Sequence, residues 1–278
     1  MRRLTNAQKK RYGIIAGVIL PWVIIVFILG LPFYFTFVIY LAAFLVTLVL
    51  YFPNYLAVWA NFNYMRGKES ARSLLFAAIN RNSKSPAAHL NYAILLVREG
   101  DGQNALDALN KALALNPNVI TEKNIRLTIG SCYWVMKDID KAIETLEDMR
   151  KRYDYVNAHV LTSLSYMYFL KGEINTALDL TNKAIEDSPD YAAAYDNLGQ
   201  IHYKLGELED AKQAFMTALT HKSNLPDSNY YMGLIYEHEN DSKKAAGYFD
   251  KAYQCKLSAL NTVTKEQIEE KYIKYKDE

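Results

Sequence analysis

The chain has 278 residues, of which 51% are hydrophobic, and its net charge of +2 is unevenly distributed. Residues 86–278 carry 22 basic and 29 acidic side chains, and because an acidic surface repels a polyphosphate backbone, we expect no nucleic-acid binding. The two cysteines, Cys132 and Cys255, are far apart and lie in no CxxC pair, which excludes a disulfide framework or a zinc ribbon and suits a cytosolic setting.

The first predicted element is an apolar block over residues 13–52, which contains no charged residue and follows a basic tail of residues 1–12. Its 40 residues are about twice what one bilayer crossing needs at about 1.5 Å per residue. The Gly-Leu-Pro sequence of residues 30–32 is typical of a tight turn. We therefore predict a transmembrane helical hairpin with helices over about 13–29 and 33–52.

The flanks of this block predict its orientation. Five basic residues precede it, and five more follow it in residues 53–85 against the single acid Glu69. Since basic residues stay on the cytoplasmic side, the N-terminus and everything after residue 52 are predicted to be cytoplasmic, as in an integral protein of a bacterial inner membrane. A secretory signal peptide, the alternative, has a shorter apolar core and a small-residue cleavage site, which are not seen here.

After the apolar block, small and aromatic residues recur on a 34-residue step. Ala177, Ala211 and Ala245 form one such series, and Gly199 and Gly233 form another. Self-similarity at a fixed period indicates stacked helix pairs that bury their apolar faces against their neighbours. Within an array over residues 53–259, six units align at 52–85, 86–119, 123–156, 158–191, 192–225 and 226–259.

The clearest unit reads AAAYDNLGQIHYKLGELEDAKQAFMTAL from Ala192, and it resembles the tetratricopeptide repeat in Gly199, Tyr203, Ala211 and Phe215. The resemblance covers about residues 52–259, because the same features recur in phase. It implies an all-α fold in which the two-helix membrane hairpin is followed by an α-solenoid of about six helix pairs and a C-terminal capping helix.

Three units depart from the repeat pattern. Trp59 stands at the glycine position of the first unit, which indicates a capping unit continuous with the second membrane helix. Ser165 replaces the same glycine in the fourth unit, and Met149 replaces the second alanine in the third. Residues 264–267 fit a capping box, so a polar capping helix and tail are predicted over residues 260–278.

The resemblance also implies that the first helices of successive pairs line a concave groove. Rings contribute contact area and amides satisfy backbone groups, which suits an extended peptide or a helix as the partner. Carried over by position, the groove is predicted to include Asn91, Arg98, Ser131, Trp134, Tyr166, Asn197, Gln200, Tyr203, Lys204, Tyr230 and Tyr231. Trp134 and Tyr166 suit packing and groove lining equally, whereas Asn197 and Lys204 favour the groove.

Motifs for chemistry were sought and are not present. The sequence contains no GxGxxG, HExxH, GxSxG or SxxK motif, and the acidic run at residues 237–241 falls at a turn where solvated side chains are expected. A clamp for a terminal carboxylate is also doubtful, because Asn197 and Lys204 fit it in one unit but the neighbouring units do not. We therefore predict no enzyme, no cofactor and no metal site.

Two hypotheses follow from this organisation. The first is a membrane-anchored cytoplasmic scaffold or adaptor that binds a protein or peptide partner in its groove, with the hairpin holding it in the lipid bilayer. The alternative is a self-associating membrane organiser, a homo-oligomer that acts structurally and without a peptide ligand.

Overall fold

The computed structural model describes residues 33–154 and 157–276, so the basic tail and the first predicted membrane helix lie outside the described residues. The described residues form thirteen helices and no strand, which confirms the all-α prediction. They are α1 (Phe33–Met65), α2 (Ala71–Asn80), α3 (Pro86–Glu99), α4 (Gly102–Ala114), α5 (Val119–Val135), α6 (Ile139–Tyr153), α7 (Ala158–Lys171), α8 (Ile174–Asp187), α9 (Ala192–Leu205), α10 (Leu208–His221), α11 (Pro226–His238), α12 (Ser242–Gln254) and α13 (Lys265–Tyr275).

Helix α1 contains the second predicted membrane helix but does not end at residue 52. It passes through Pro53 and continues to Met65, since a proline removes one backbone hydrogen bond and does not by itself terminate an apolar helix. Among the described helices it alone is long and apolar enough to cross a membrane, with a mean hydropathy of 2.0 over Phe37–Met65 and an apolar stretch exposed along its length. The contacts divide the chain into two units within this helix, between Tyr55 and Leu56.

From residue 56 the helices form consecutive pairs. The last turns of α1 share a buried core with α2 through Ala57, Ala60, Leu75 and Ala78. After them α3 packs on α4, α5 on α6, α7 on α8, α9 on α10, and α11 on α12, while α13 packs on α12. The order therefore gives six pairs and a final helix, as the solenoid prediction required.

Short polar side chains begin the helices and glycines end several of them. An N-cap side chain accepts a hydrogen bond from the backbone three residues later, which satisfies an N–H group that the helix leaves free. The residues that do so are Ser85, Asp101, Asn118, Asp138, Asn157, Asp241 and Thr264. Gly100, Gly172 and Gly206 close α3, α7 and α9 in the left-handed conformation.

One of these caps begins a helix earlier than the repeat alignment predicts. The repeat alignment places residues 120–122 between two units, but they lie inside α5, which begins at Val119. Asn118 accepts a hydrogen bond from the Thr121 backbone nitrogen at 2.9 Å, so the helix gains a turn before the aligned unit starts.

The repeated glycine marks a close contact between the two helices of a pair. A Cβ atom on Gly199 would lie 2.6 Å from the ring of Phe215, and one on Gly233 would lie 2.5 Å from the ring of Phe249. Both rings are completely buried. Because a well-packed core leaves no room for an additional carbon, the glycine and the phenylalanine recur together.

The fourth unit uses a different pair at the same two positions. Ser165 stands in place of the glycine, and Thr181, in place of the phenylalanine, lies with its Oγ1 2.5 Å from the Ser165 Oγ. The Ser165 hydroxyl also donates to the Ala177 carbonyl at 2.9 Å. The smaller partner makes room for the larger first residue, and the buried hydroxyls satisfy each other.

Helix α13 covers the last pair. The Thr264 hydroxyl accepts from the Gln267 backbone while the Gln267 side chain accepts from the Thr264 backbone, which confirms the predicted capping box. Ile268 and Tyr275 are buried in the same cluster as Phe249 of α12. The helix therefore closes an apolar face that would otherwise lack a neighbour.

Candidate partner-binding site

The predicted groove residues all lie on first helices of the pairs. They are distributed as Asn91 and Arg98 on α3, Ser131 and Trp134 on α5, Tyr166 on α7, Asn197, Gln200, Tyr203 and Lys204 on α9, and Tyr230 and Tyr231 on α11. Five of them line one cavity of about 330 Å³: Ser131, Trp134, Tyr166, Asn197 and Gln200. This cavity, here called the central cavity, lies on the face formed by α5, α7, α9 and α11.

The two predicted residues of α3 lie away from the central cavity. The Asn91 side chain donates to the Asn61 side chain at 2.9 Å, which ties α3 to the end of α1. The Arg98 carbonyl accepts a hydrogen bond from the Ala259 backbone nitrogen at 2.8 Å. Arg98 therefore meets a later part of this same chain.

The tyrosines of α9 and α11 form an aromatic group beside the cavity. The rings of Tyr203 and Tyr231 lie with centroids 4.9 Å apart, and Tyr230 packs edge-on against Phe249 at 5.8 Å. Lys204 is exposed on the same helix as Tyr203. These tyrosines pack α9 against α11, whereas Lys204 is exposed to solvent.

Trp134 and Tyr166 pack against each other and also line the central cavity, which are the two positions that the sequence allowed equally. Their rings meet edge-to-face with centroids 5.0 Å apart, an arrangement that aromatic pairs prefer. Tyr166 is only 9% exposed and belongs to a core cluster, and this burial raises the pKa of its hydroxyl well above the usual range. Both side chains also form part of the cavity wall, so packing fixes the position of the rings that line it.

The amides of α9 are held by neighbouring groups. Asn197 is 7% exposed, and its side-chain nitrogen donates to the Thr162 carbonyl of α7 at 2.9 Å. Gln200 donates to the Asp196 carboxylate at 2.9 Å. Each amide group is therefore oriented by a fixed partner, and both residues line the cavity.

An acidic pair at this site is not predictable from any sequence motif. Asp196 accepts from Gln200 and from the Ser228 hydroxyl, and burial together with the neighbouring Asp227 raises the pKa of its carboxyl. Asp196 lies inside α9 and Asp227 in the first turn of α11, where an acidic residue usually interacts with the helix dipole. Only the packing of these helices brings the two carboxylates together.

One polar atom of the cavity wall is left without a partner. The Thr162 hydroxyl is buried and has no hydrogen-bond partner among residues 33–154 and 157–276, although Thr162 is only 6% exposed and lines the cavity. An unsatisfied buried hydroxyl costs about 1–3 kcal/mol. Because its oxygen has almost no accessible surface, this hydroxyl does not face the open part of the cavity.

Acidic groups outside the cavity are accounted for by ion pairs. In the run 237–241, each of the three carboxylates forms an ion pair with a lysine. Glu239 and Asp241 lie at the turn after α11, whereas Glu237 lies within α11 and is partly buried, so it departs from the solvated turn that the sequence predicted. His202, Glu207 and Asp210 bring ligand atoms within 4.8 Å of one another at the turn between α9 and α10. The last two are exposed, and exposed acidic groups of this kind are common without a metal.

The folded array is similar to solved repeat structures. A tetratricopeptide repeat protein from Parabacteroides merdae superposes with a TM-score of 0.63 at 17% identity, covering 78% of this chain and 82% of that one. PilW, a type IV pilus biogenesis factor, superposes with a TM-score of 0.56 at 17% identity, covering 72% and 91%. At these identities the likeness establishes the fold.

Sequence comparisons give the same family. A TPR repeat-containing protein of Methanocaldococcus jannaschii is 26% identical over 219 residues, which cover 71% of this chain and 37% of the relative. The chain spans well under half the length of the curated relatives it matches. Profiles described as tetratricopeptide or TPR repeat match residues 62–120, 96–155, 166–206 and 192–225. Together these matches cover more than half of the sequence, and the chain belongs to the tetratricopeptide repeat family.

Proposed function

We propose that this protein is a membrane-anchored adaptor, without enzymatic activity of its own, that binds an extended peptide of a partner protein at the central cavity. The observation that carries the proposal is the meeting of Ser131, Trp134, Tyr166, Asn197 and Gln200 around one cavity. Oriented amides suit the backbone of an extended peptide, and fixed rings supply apolar contact area at little entropic cost.

The anchoring part of the proposal rests on α1 and its flanks. The helix is apolar over Phe37–Met65 and continuously exposed over residues 37–52, and the Arg66 guanidinium lies 4.1 Å above the Phe62 ring centroid at its end. Aromatic and basic residues at the end of a span favour the membrane–water interface. We therefore place the array on the cytoplasmic side of a bacterial inner membrane, with the predicted hairpin as the anchor.

The test is a crosslinking pull-down from intact membranes, with captured proteins identified by mass spectrometry. Ser131→Arg places a long cation in the cavity wall, and Ser73→Arg makes the same change at an exposed position of α2. A partner captured by the wild type and by Ser73→Arg, but lost in Ser131→Arg at unchanged helical content, supports the adaptor.

The alternative function has its own outcome in this experiment. If the chain captures only further copies of itself, and Ser131→Arg changes nothing, then binding at the cavity is refuted. A self-associating membrane organiser, with contacts through the exposed face of α1, would then account for the result.

A further inference from the structure

The segment between the last repeat pair and α13 returns across the binding face. Residues 256–263, here called the strap, connect α12 to α13 with the sequence Lys-Leu-Ser-Ala-Leu-Asn-Thr-Val. Its Ala259 backbone nitrogen donates to the Arg98 carbonyl at 2.8 Å, and Leu260 packs against the core cluster of the first pairs. The chain that follows the sixth pair therefore contacts the second.

The other end of the strap is held by one carboxylate. Asp227 accepts hydrogen bonds from the Asn261 side chain at 2.7 Å, the Thr262 hydroxyl at 2.8 Å, and the backbone nitrogens of Thr262 and Val263 at 2.9 Å each. Asp227 is 6% exposed. Hydrogen bonds to a charged acceptor are the stronger kind, so this residue is the anchor of the strap.

The strap also forms part of the central cavity. Leu260, Asn261 and Thr262 line it together with Trp134 and Tyr166. An extended segment with a leucine and two polar side chains thus lies where the adaptor proposal places a partner peptide. The strap does not fill the site, because a cavity of about 330 Å³ remains.

We infer that the strap is an internal ligand of the binding face, and that the partner is an extended uncharged peptide of the same chemistry, a leucine followed by Asn-Thr-type donors. This inference rests on the proposed function. The partner replaces the strap at Asp227 and extends into the central cavity. An acidic peptide is disfavoured there, because Asp196 and Asp227 lie side by side in the wall.

The open part of the central cavity gives the partner an advantage over the strap. The hydrogen bonds at Asp227 are exchanged one for one, so they favour neither ligand. A longer peptide extends into the volume of about 330 Å³ that the strap leaves open and packs there against Trp134 and Tyr166. That additional buried apolar area offsets the cost of releasing the strap.

The experiment measures whether the strap competes with a peptide added in solution. The probe is a fluorescent peptide with capped ends and the uncharged sequence of residues 257–264, titrated by anisotropy against the full chain in detergent. The strap variant Asn261→Ala/Thr262→Val removes two donors to Asp227. Its matched control, Asn110→Ala/Thr217→Val, makes the same changes on α4 and α10, away from the cavity wall.

We expect the strap variant to bind the probe about tenfold or more tightly than the wild type, because a face that is open for only a fraction of the time shows an affinity reduced by that fraction. The control should match the wild type. Adding Asp227→Asn to the strap variant should abolish binding. Hydrogen exchange at the backbone amides of residues 262 and 263 should be faster in the strap variant than in the wild type, at unchanged helical content.

The other outcomes distinguish failure of the strap inference from failure of the proposed adaptor function. Equal probe binding by the wild type and the strap variant would overturn the strap inference and leave the binding face intact. If neither the wild type nor the strap variant binds the probe, but the pull-down still captures a partner that Ser131→Arg loses, then the strap inference alone is overturned. Absence of both probe binding and a Ser131-dependent partner would overturn the proposed function.

Discussion

Packing within a helix pair is decided at two residues, the small one on the first helix and the side chain that covers it. In the fifth and sixth pairs these are glycine and phenylalanine, and in the fourth they are Ser165 and Thr181. Each combination fills the same space with different atoms. A change at one position should therefore be tolerated only with a matching change at the other.

The same glycine-to-alanine change at a crowded position and at an open position tests this packing argument. Gly199→Ala should lower the free energy of unfolding by about 1–3 kcal/mol, because its Cβ would lie 2.6 Å from the Phe215 ring. Gly247→Ala in α12 should raise it by about 0.5–1 kcal/mol, since nothing lies within 4 Å and alanine favours the helix. Urea unfolding of both variants measures the difference, and equal effects would refute the packing argument.

A double-mutant cycle tests the exchange of pairs. Ser165→Gly should leave space beside Thr181, and Thr181→Phe should crowd Ser165, so each destabilises the chain alone. Together they recreate the combination of the fifth pair, and we expect a favourable coupling of about 1–3 kcal/mol. Thermal unfolding of the four proteins gives the coupling, and simple additivity of the two changes would contradict it.

The raised pKa of Asp196 predicts a dependence of stability on pH. Because the folded state holds this proton more tightly than the unfolded chain, the carboxyl lowers the free energy of unfolding as the pH rises from the ordinary Asp range towards the raised pKa. The free energy of unfolding of Asp196→Asn, taken relative to that of the wild type, should thus be higher at about pH 8 than at about pH 4. Denaturant titrations at both values measure this, and a difference independent of pH would contradict it.

At the scale of elements, α13 is held by its apolar face and by one carboxylate. Lys271 lies 2.5 Å and Lys274 lies 2.6 Å from Glu237, and the Tyr275 hydroxyl donates to it at 2.8 Å. Partial burial opposes ionisation of this group, but these three donors prevail and lower the pKa of Glu237 to about 2. The ionised carboxylate is therefore the form that fastens the capping helix.

Acidification should loosen α13 before the array unfolds. A lowered pKa contributes stability above the ordinary value of 4.5, and that stability is lost as the pH falls towards about 2. Hydrogen exchange in residues 265–275 should accelerate over this range in the wild type. Glu237→Gln should show fast exchange already at neutral pH and little further change, and protection unaffected by the substitution would contradict this account.

At the scale of the whole molecule, the adaptor proposal places α1 in a membrane, and the basic flanks in residues 1–12 and 53–85 predict that the array lies on the cytoplasmic side. In a Cys255→Ser background, Ser73→Cys places a thiol at an exposed position of α2, while Cys132 is buried. We expect a membrane-impermeant maleimide to label it only after the inner membrane is opened. Labelling in intact spheroplasts would reverse the orientation, and extraction of the chain by alkaline carbonate would exclude integral insertion.

Much of the fold is local and was predictable for that reason. The 34-residue step places the same small and aromatic residues at the same point of each pair, and caps such as Thr264 act within three residues of their partners. The continuation of the second predicted membrane helix into the first repeat unit was expected from the sequence, whereas the early start of α5 was missed because an asparagine cap added a turn.

The sequence by itself determined the repeat family, the order of the helix pairs, the apolar α1 and the helices on which the candidate groove residues lie. Only the tertiary structure decided which of those residues share a cavity, that Asp196 and Asp227 meet, and that the strap returns to Arg98 and Asp227. The physical reason is the separation in sequence between the residues that interact. Capping joins residues a few positions apart and the repeat relates neighbouring units, whereas the Ala259 backbone nitrogen bonds to the Arg98 carbonyl across most of the array, a contact that neither pattern specifies.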